Sequence, residues 1–401
     1  MKYTFYIFLA IILFSCGNEK SNETNQSSDS PGNSQSDFQL QKVDSVDFKL
    51  LGDPILSDVS DDGSQILFYD YASSEIISID QNGQLLGKFS KQEDTPDAYG
   101  FMMELPGFIG NDQVALSGMR GIFTYNLTGD MITKIDHPES VGGVGFMPIA
   151  GKSLETVSWN GKKYLLPKSV RTRGTYPGEQ AFYDRFRALE WVDVASGESQ
   201  EIIPFEEGSL FKNGYGYIVS DYTPAFEWVN EKLYLSLGAD PKLHIYQFSD
   251  NEFVRDTTIL MDIAGFQELV LTERSEFQEG TVSLNGSTPA IRNIHRVNDL
   301  LVIHYFGGLD PAATEEAEQL WMSGNEEEAE LLFEKLEREA SKGLLIFDPK
   351  TKKFLANLPF PKGMNEGGLS AGGNFLWFQK APSEEMEEDF VRFYKYKLEG
   401  I

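Results

Sequence analysis

Asp58-Val59-Ser60-Asp61-Asp62-Gly63, the run Ile66-Leu67-Phe68-Tyr69, then Ser78-Ile79-Asp80 and Asn82-Gly83 decide the fold. Read in order, they are a polar turn, an apolar strand, a second strand and a second polar turn. Asn, Asp and Gly tolerate the positive φ that tight hairpins need, whereas β-branched and aromatic residues suit the pleated surface between turns. The stretch is therefore one pair of antiparallel hairpins.

Working outward, the first half of this unit returns at Asn111-Asp112, Asn160-Gly161, Asn230-Glu231, Asn298-Asp299 and Gly373-Asn374, each followed by an apolar strand. The second half returns at Thr124-Tyr125-Asn126, Trp191-Val192-Asp193, Ile245-Tyr246-Gln247, Ile346-Phe347-Asp348 and Phe393-Tyr394-Lys395. Four-stranded units at this spacing are the signature of propeller blades, and six of them predict an all-β, six-bladed β-propeller over residues 38–401. A β-sandwich or two stacked β-domains is the alternative, since spacing alone does not distinguish ring closure. The last unit has no room for a fourth strand after Leu398, and the alternating segment Phe38 to Leu50 has no partner of its own. That segment is expected to close the ring as the outer strand of the sixth blade, removing open sheet edges.

The first residues have a different logic. Lys2 precedes an apolar run from Tyr3 to Phe14, the length of a signal-peptide core and short of a membrane span. It ends in Leu13-Phe14-Ser15-Cys16-Gly17, where Cys16 is the sole cysteine of the chain. This segment resembles the lipobox of bacterial lipoproteins, which implies residues 1–16 as signal and lipobox, lipid attachment at Cys16 and anchoring to a membrane through that lipid. Gly17 at the following position lacks the Asp associated with inner-membrane retention, so the outer membrane is expected, facing either the periplasm or the cell surface. Residues 17–37 carry no large apolar side chain and read as a disordered tether of about 25 Å mean span. Lipobox, tether and six degenerate blades together resemble the uncharacterised six-bladed β-propeller lipoproteins of bacteria, with a blade rhythm similar to NHL-type propellers. Such a resemblance speaks for fold and leaves function open.

With 62 acids against 34 bases and a net charge of −28, the chain is ill-suited to nucleic acid or anionic lipid. Two connections between the second and third strands are longer than the rest, in blades three and five. In a propeller these connections share a face with the links between blades, which marks that face as the expected working surface. From Lys152 to Glu190, eight bases meet four acids, a local reversal of sign. Within it Arg171, Arg173 and Arg185, beside Tyr176, Phe182 and Tyr183, are candidates to grip an anionic group and stack on a sugar or peptide ring. The alternative is a structured loop whose arginines pair with neighbouring acids. The blade-five insertion, residues 310–342, has apolar residues at helical spacing interrupted by Gly324-Asn325 and predicts a small αα-hairpin.

No nucleophile elbow, metalloprotease pair or phosphate-binding loop is present. The four histidines, His137, His244, His295 and His304, are scattered. Some propeller enzymes hold a divalent cation on the axis with one carboxylate or amide from several inner strands. Asp58, Glu227, Asn293 and Glu366 are the inner-strand candidates here, with Arg292, His295 and Arg296 beside them; Arg292 and Arg296 also join the candidate ligand-binding set. The leading expectation is a binding or scaffold protein that presents one face to a protein or glycan partner, without a cofactor. The alternative is a lactonase-like hydrolase or lyase using Ca2+ at the channel mouth.

Overall fold

The computed structural model describes residues 37–139, 141, 152, 154–383 and 388–401. Lipid attachment at Cys16, the signal and all of the tether but its last residue lie outside the described residues.

Six four-stranded antiparallel sheets are arranged as a six-bladed propeller. Blade one consists of Pro54–Val59, Gln65–Asp70, Glu75–Asp80 and Leu85–Phe89, and the next four blades repeat this order along the chain. The first strands of successive blades (Pro54–Val59, Gly107–Ile109, Glu155–Trp159, Pro224–Val229, Ala290–Val297 and Met364–Gly372) contact one another and line the central channel. Strand composition follows radial position. Gln65–Asp70 is buried from Ile66 to Asp70 because its sheet packs against a neighbouring blade on each face, while the outer strand Leu85–Phe89 alternates exposed and buried residues. The second strand is thus apolar from Ile66 to Tyr69, while the outer strand carries exposed residues between buried ones.

The turns form as their residue types require. Asn160-Gly161 and Gly373-Asn374 both hold two consecutive positive φ values, the geometry of a two-residue hairpin loop. At Asp62-Gly63, the Asp62 carboxylate accepts from the Ser64 backbone N–H at 2.9 Å, and from Asn111 Nδ2 of blade two at 2.8 Å. These donors hold the Asp62 carboxyl well below the usual range, with the Ser64 hydroxyl the largest contributor.

Phe38–Lys49 closes the ring. It pairs antiparallel with Phe390–Gly400, from Phe38 opposite Gly400 to Lys49 opposite Phe390, so the sixth blade is built from both ends of the propeller. Val46 is buried on the inner face of this strand, and Asp47 receives a two-pronged bond from Arg392 at 2.6 Å on the outer one. The blade-five insertion is an αα-hairpin, Pro311–Met322 and Glu326–Glu339. Asp310 caps the first helix by accepting from the Ala313 N–H at 2.9 Å, with Pro311 in the first turn. Leu336 seats the pair on Phe306 and Leu309 of the blade.

Candidate functional site

The blade-three insertion lies between Lys162–Leu166 and Leu189–Asp193, and it is held by aromatic packing rather than by regular structure. Tyr183, on the short helix Gln180–Arg185, is buried; its hydroxyl donates to the Pro177 carbonyl at 2.8 Å and accepts from the Tyr217 N–H at 3.1 Å. Burial pushes this phenol up to about 12. Phe186 stacks on Phe205 at 3.7 Å between ring centroids. Arg274, from the link between blades four and five, lies 4.2 Å over the Tyr183 ring and donates to the Tyr215 carbonyl and to Gln180 Oε1. The insertion is thereby tied to the links on either side of blade four.

Between these three segments is a cleft of about 580 Å³. Arg171, Arg173, Tyr176 and Phe182 come from the insertion, Val219 and Tyr222 from the link before blade four, and Phe277 and Val282 from the link after it. All belong to the face on which the long connections and the blade links meet. Arg171 and Arg173 therefore line a real concavity, but not as open cations. Arg171 forms a two-pronged pair with Glu190, at 3.1 and 2.5 Å, and Arg173 is paired with Glu201. Glu190 is almost wholly buried, so its charge needs the guanidinium beside it. Arg185 is exposed and donates to the Arg173 carbonyl at 3.2 Å, outside the cleft. The expectation of a three-arginine anion clamp gives way to two internal ion pairs and one surface residue.

Arg173 has two further features. Its φ is +55°, a conformation that side-chain-bearing residues rarely adopt, and its terminal nitrogens donate to Arg171 O, Arg187 O and Ser169 Oγ. Its Nε–H is buried and has no acceptor.

On the axis, the expected four-residue cation site does not assemble. Lys152 stands among the inner strands instead: its Nζ is 2.6 Å from Glu227 and 3.3 Å from Glu155, and its backbone N–H donates to Asn293 Oδ1. Asp58 also feels the Lys152 charge, but its oxygens accept from the Phe108 and Val59 N–H groups at 2.8 Å. Glu366 turns away into ion pairs with Arg292 and Lys342. Arg292 also lies 4.3 Å over the Phe306 ring, and Arg296 is exposed. Among the described residues no three His, Cys, Asp or Glu side chains are placed to hold a metal ion. A lysine ammonium thus occupies the ground between carboxylates that a divalent cation would need.

Burial raises the carboxyls around this ammonium. Glu155 is pushed up to about 8 by burial, with the Glu227 charge adding to it and Lys152 opposing. Asp58 is raised to about 6 by burial. A second buried pair, Glu104 with Lys168 at 3.7 Å, lies beside them, and Lys168 Nζ donates to the Lys152 carbonyl at 2.7 Å. Burial brings Glu104 up to about 7. His295 is held down to about 3 by burial and stays neutral, with Nε2 unpartnered.

Sequence reasoning missed Lys152, Glu190, Glu201 and Arg274 as members of these clusters. Lys152 precedes the blade-three repeat, and besides nearby Glu155 it meets Glu227 and Asn293 far along the chain, which local pattern does not reveal.

No family model matches the sequence, and no curated protein matches it. Among solved structures the fold is shared with a DUF4221 family member from Bacteroides vulgatus, at TM-score 0.62 and 12% identity, covering 92% of this chain and 100% of that one. An exported protein from Bacteroides fragilis aligns at TM-score 0.49 and 12% identity, over 90% of this chain and 95% of the other. The chain is a six-bladed β-propeller similar in fold to the Bacteroides vulgatus protein.

Proposed function

We propose that the protein is a lipid-anchored, extracytoplasmic binding or scaffold propeller that receives part of a protein or glycan partner in the cleft beside the blade-three insertion. The observation that supports this most is the cleft itself. A long insertion and two blade links, held together by Arg274 and Tyr183, leave open space among aromatic side chains where a closed surface would bury more apolar area. Concave, largely apolar sites with a few placed polar groups are where proteins take ligands. Anchoring at Cys16 and an outer-membrane location complete the reading, on the strength of the lipobox-like segment and the Gly17 that follows it.

The competing reading, a Ca2+-dependent hydrolase or lyase at the channel mouth, is less well supported. It requires carboxylates free to ligate, and those nearest the axis are bonded to Lys152, to backbone N–H groups or to arginine.

The test is site-directed photo-crosslinking in intact cells, with the reactive residue at Ser283 in the cleft wall or at Asn160 on the opposite face. The cleft reading expects a discrete adduct from position 283 that disappears when Thr281→Trp fills the cleft, and no such adduct from position 160. Adducts from position 160 alone would move the working surface to the other face.

A further inference from the structure

Resting on the cleft reading above, we propose that residues 278–286 are a strap that closes over the cleft, so that a partner enters while the strap is raised and is covered once it falls. The segment belongs to the link between blades four and five, which runs from the end of Glu252–Leu260 to the start of Ala290–Val297 with one short helical turn, Arg274–Glu276, along its length. The link between blades five and six needs only residues 360–363. Connections longer than about 12 to 15 residues without structure of their own are uncommon in compact domains, and those that stay ordered commonly serve as lids or binding loops.

The link is fastened on both sides of this segment. Before it, Phe277 lies against Gly216, where any side chain would collide with the Phe277 ring, and the Gly216 N–H donates to the Thr272 carbonyl at 2.8 Å. After it, the Ser287 carbonyl accepts from the Leu309 N–H at 2.9 Å, and Pro289 packs so closely on Gly308 that a Cβ there would lie 2.8 Å from the proline nitrogen. Between these fastenings every residue from Gln278 to Gly286 is exposed. Among the described residues a single hydrogen bond joins the stretch to another segment, from the Asn285 N–H to Ser220 Oγ at 3.1 Å. Gly280 has a φ of +78°, and at both Gly280 and Gly286 the space a side chain would take is open. A stretch with few buried contacts, exposed backbone and one outside hydrogen bond moves at little cost.

The position of the strap gives that freedom a use. Thr281, Val282 and Ser283 already form part of the cleft, together with Tyr176 and Phe182 of the blade-three insertion. Val282 and Leu284 are 43% and 44% exposed, apolar side chains that the raised position leaves in water. Folding inward buries them against the cleft or its occupant, a gain set against the loss of one hydrogen bond. Ser220, on the link before blade four, is therefore the catch that holds the strap open.

The experiment is double electron–electron resonance on the whole chain, with nitroxide labels at Val282→Cys on the strap and Arg185→Cys on the exposed part of the insertion. A Cys16→Ala background leaves no other thiol, and Arg185→Cys with Lys162→Cys is the control pair within blade three. The strap pair is expected to give two separations, that of the raised position and a shorter one, while the control pair gives one. Ser220→Ala removes the catch and should shift weight to the shorter separation; Ser220→Thr keeps the hydroxyl and should restore the parent distribution. The control pair, read in each variant, reports that the blade is intact. A single strap distance as narrow as the control, or weights unmoved by Ser220→Ala, would overturn the proposal. A second separation longer than the first would overturn closure, since the strap would then swing away from the cleft. No partner takes part in this measurement, so its failure is distinct from failure of the cleft reading, which the crosslinking experiment judges.

Discussion

Lys152 Nζ lies 2.6 Å from Glu227 Oε2, and the two residues, seventy-five positions apart, belong to the approach to blade three and the inner strand of blade four. With Glu155 at 3.3 Å on its other side, the ammonium balances carboxylates that the ring of inner strands brings together. Removing it by Lys152→Met leaves buried carboxylates facing each other, which costs about 3 to 5 kcal/mol when one member of a buried pair is lost. The loss also opens the ground a cation would need. Thermal melts with and without millimolar CaCl2 should show a lowered Tm for the variant that calcium partly restores, and no calcium effect on wild type. Wild-type stabilisation by calcium at this site would contradict the assignment of Lys152.

The same cluster sets a pH dependence. A carboxyl whose folded pKa is raised binds its proton more tightly in the folded chain, so its contribution to stability falls as pH rises from the unfolded to the folded value. For Glu155 this window runs from about 4.5 to about 8, and for Glu104 from about 4.5 to about 7. Asp62, whose folded pKa is lowered, acts oppositely, giving stability above 3.8 that is lost on further acidification. Stability should therefore peak on the acidic side of neutrality. Urea denaturation across pH 4 to 9 should show this decline, and Glu155→Gln should flatten its alkaline arm. A wild-type optimum above pH 8 would refute it.

In the cleft wall, replacing Arg171 with Gln is expected to act on stability. Glu190 would be left buried without its two-pronged partner, at a cost of about 3 to 5 kcal/mol, while Arg171→Gln with Glu190→Gln should recover much of it. Arg185→Gln, on an exposed side chain, should fall within about 0.5 kcal/mol of wild type. Chemical denaturation of the four proteins checks the pattern. A silent Arg171→Gln would show that the pair contributes little to folding.

The features legible in sequence were those with a local signature. Asn160-Gly161 and Gly373-Asn374 announce hairpins because few other residues accept positive φ, and Ala317, Leu332 and Leu336 announce helices by spacing. The closing strand was legible by elimination, since Phe38–Lys49 needed a partner and the last blade needed a strand. The site was harder to read because its determinants are pairings. Arg171 looks like an anion receptor until Glu190 is found across the blade, and Glu366 like a metal ligand until Arg292 and Lys342 are found beside it. Residue type gives the chemistry available, but the partner decides whether it is already used.

Anchoring is tested at the other end of the chain. On the proposal that residues 1–16 are a lipoprotein signal, Cys16 is the attachment point. Cys16→Ala should move the protein from the membrane pellet to the supernatant of a carbonate wash. Equal retention of variant and wild type would place the anchor elsewhere.

Ring closure carries the last prediction. Phe38–Lys49 contributes the outer strand of blade six, and Val46 packs in the cluster that includes Phe68 of blade one and Phe393 of blade six. The strand therefore does two things: it covers the edge of Phe390–Gly400, and it fills the seam where the first and last blades meet. Deleting residues 38–50 removes both, exposing a long hydrogen-bonding edge and the apolar seam. The truncated protein should melt well below the parent and associate through its open edge. A milder substitution separates the two contributions. Val46→Ala keeps every backbone hydrogen bond and removes only side-chain packing, for about 1 to 3 kcal/mol. Scanning calorimetry and light scattering should then show a lowered Tm without association for Val46→Ala, and both effects for the deletion. A deletion that melts with the parent would mean that the seam is held by the remaining strands alone.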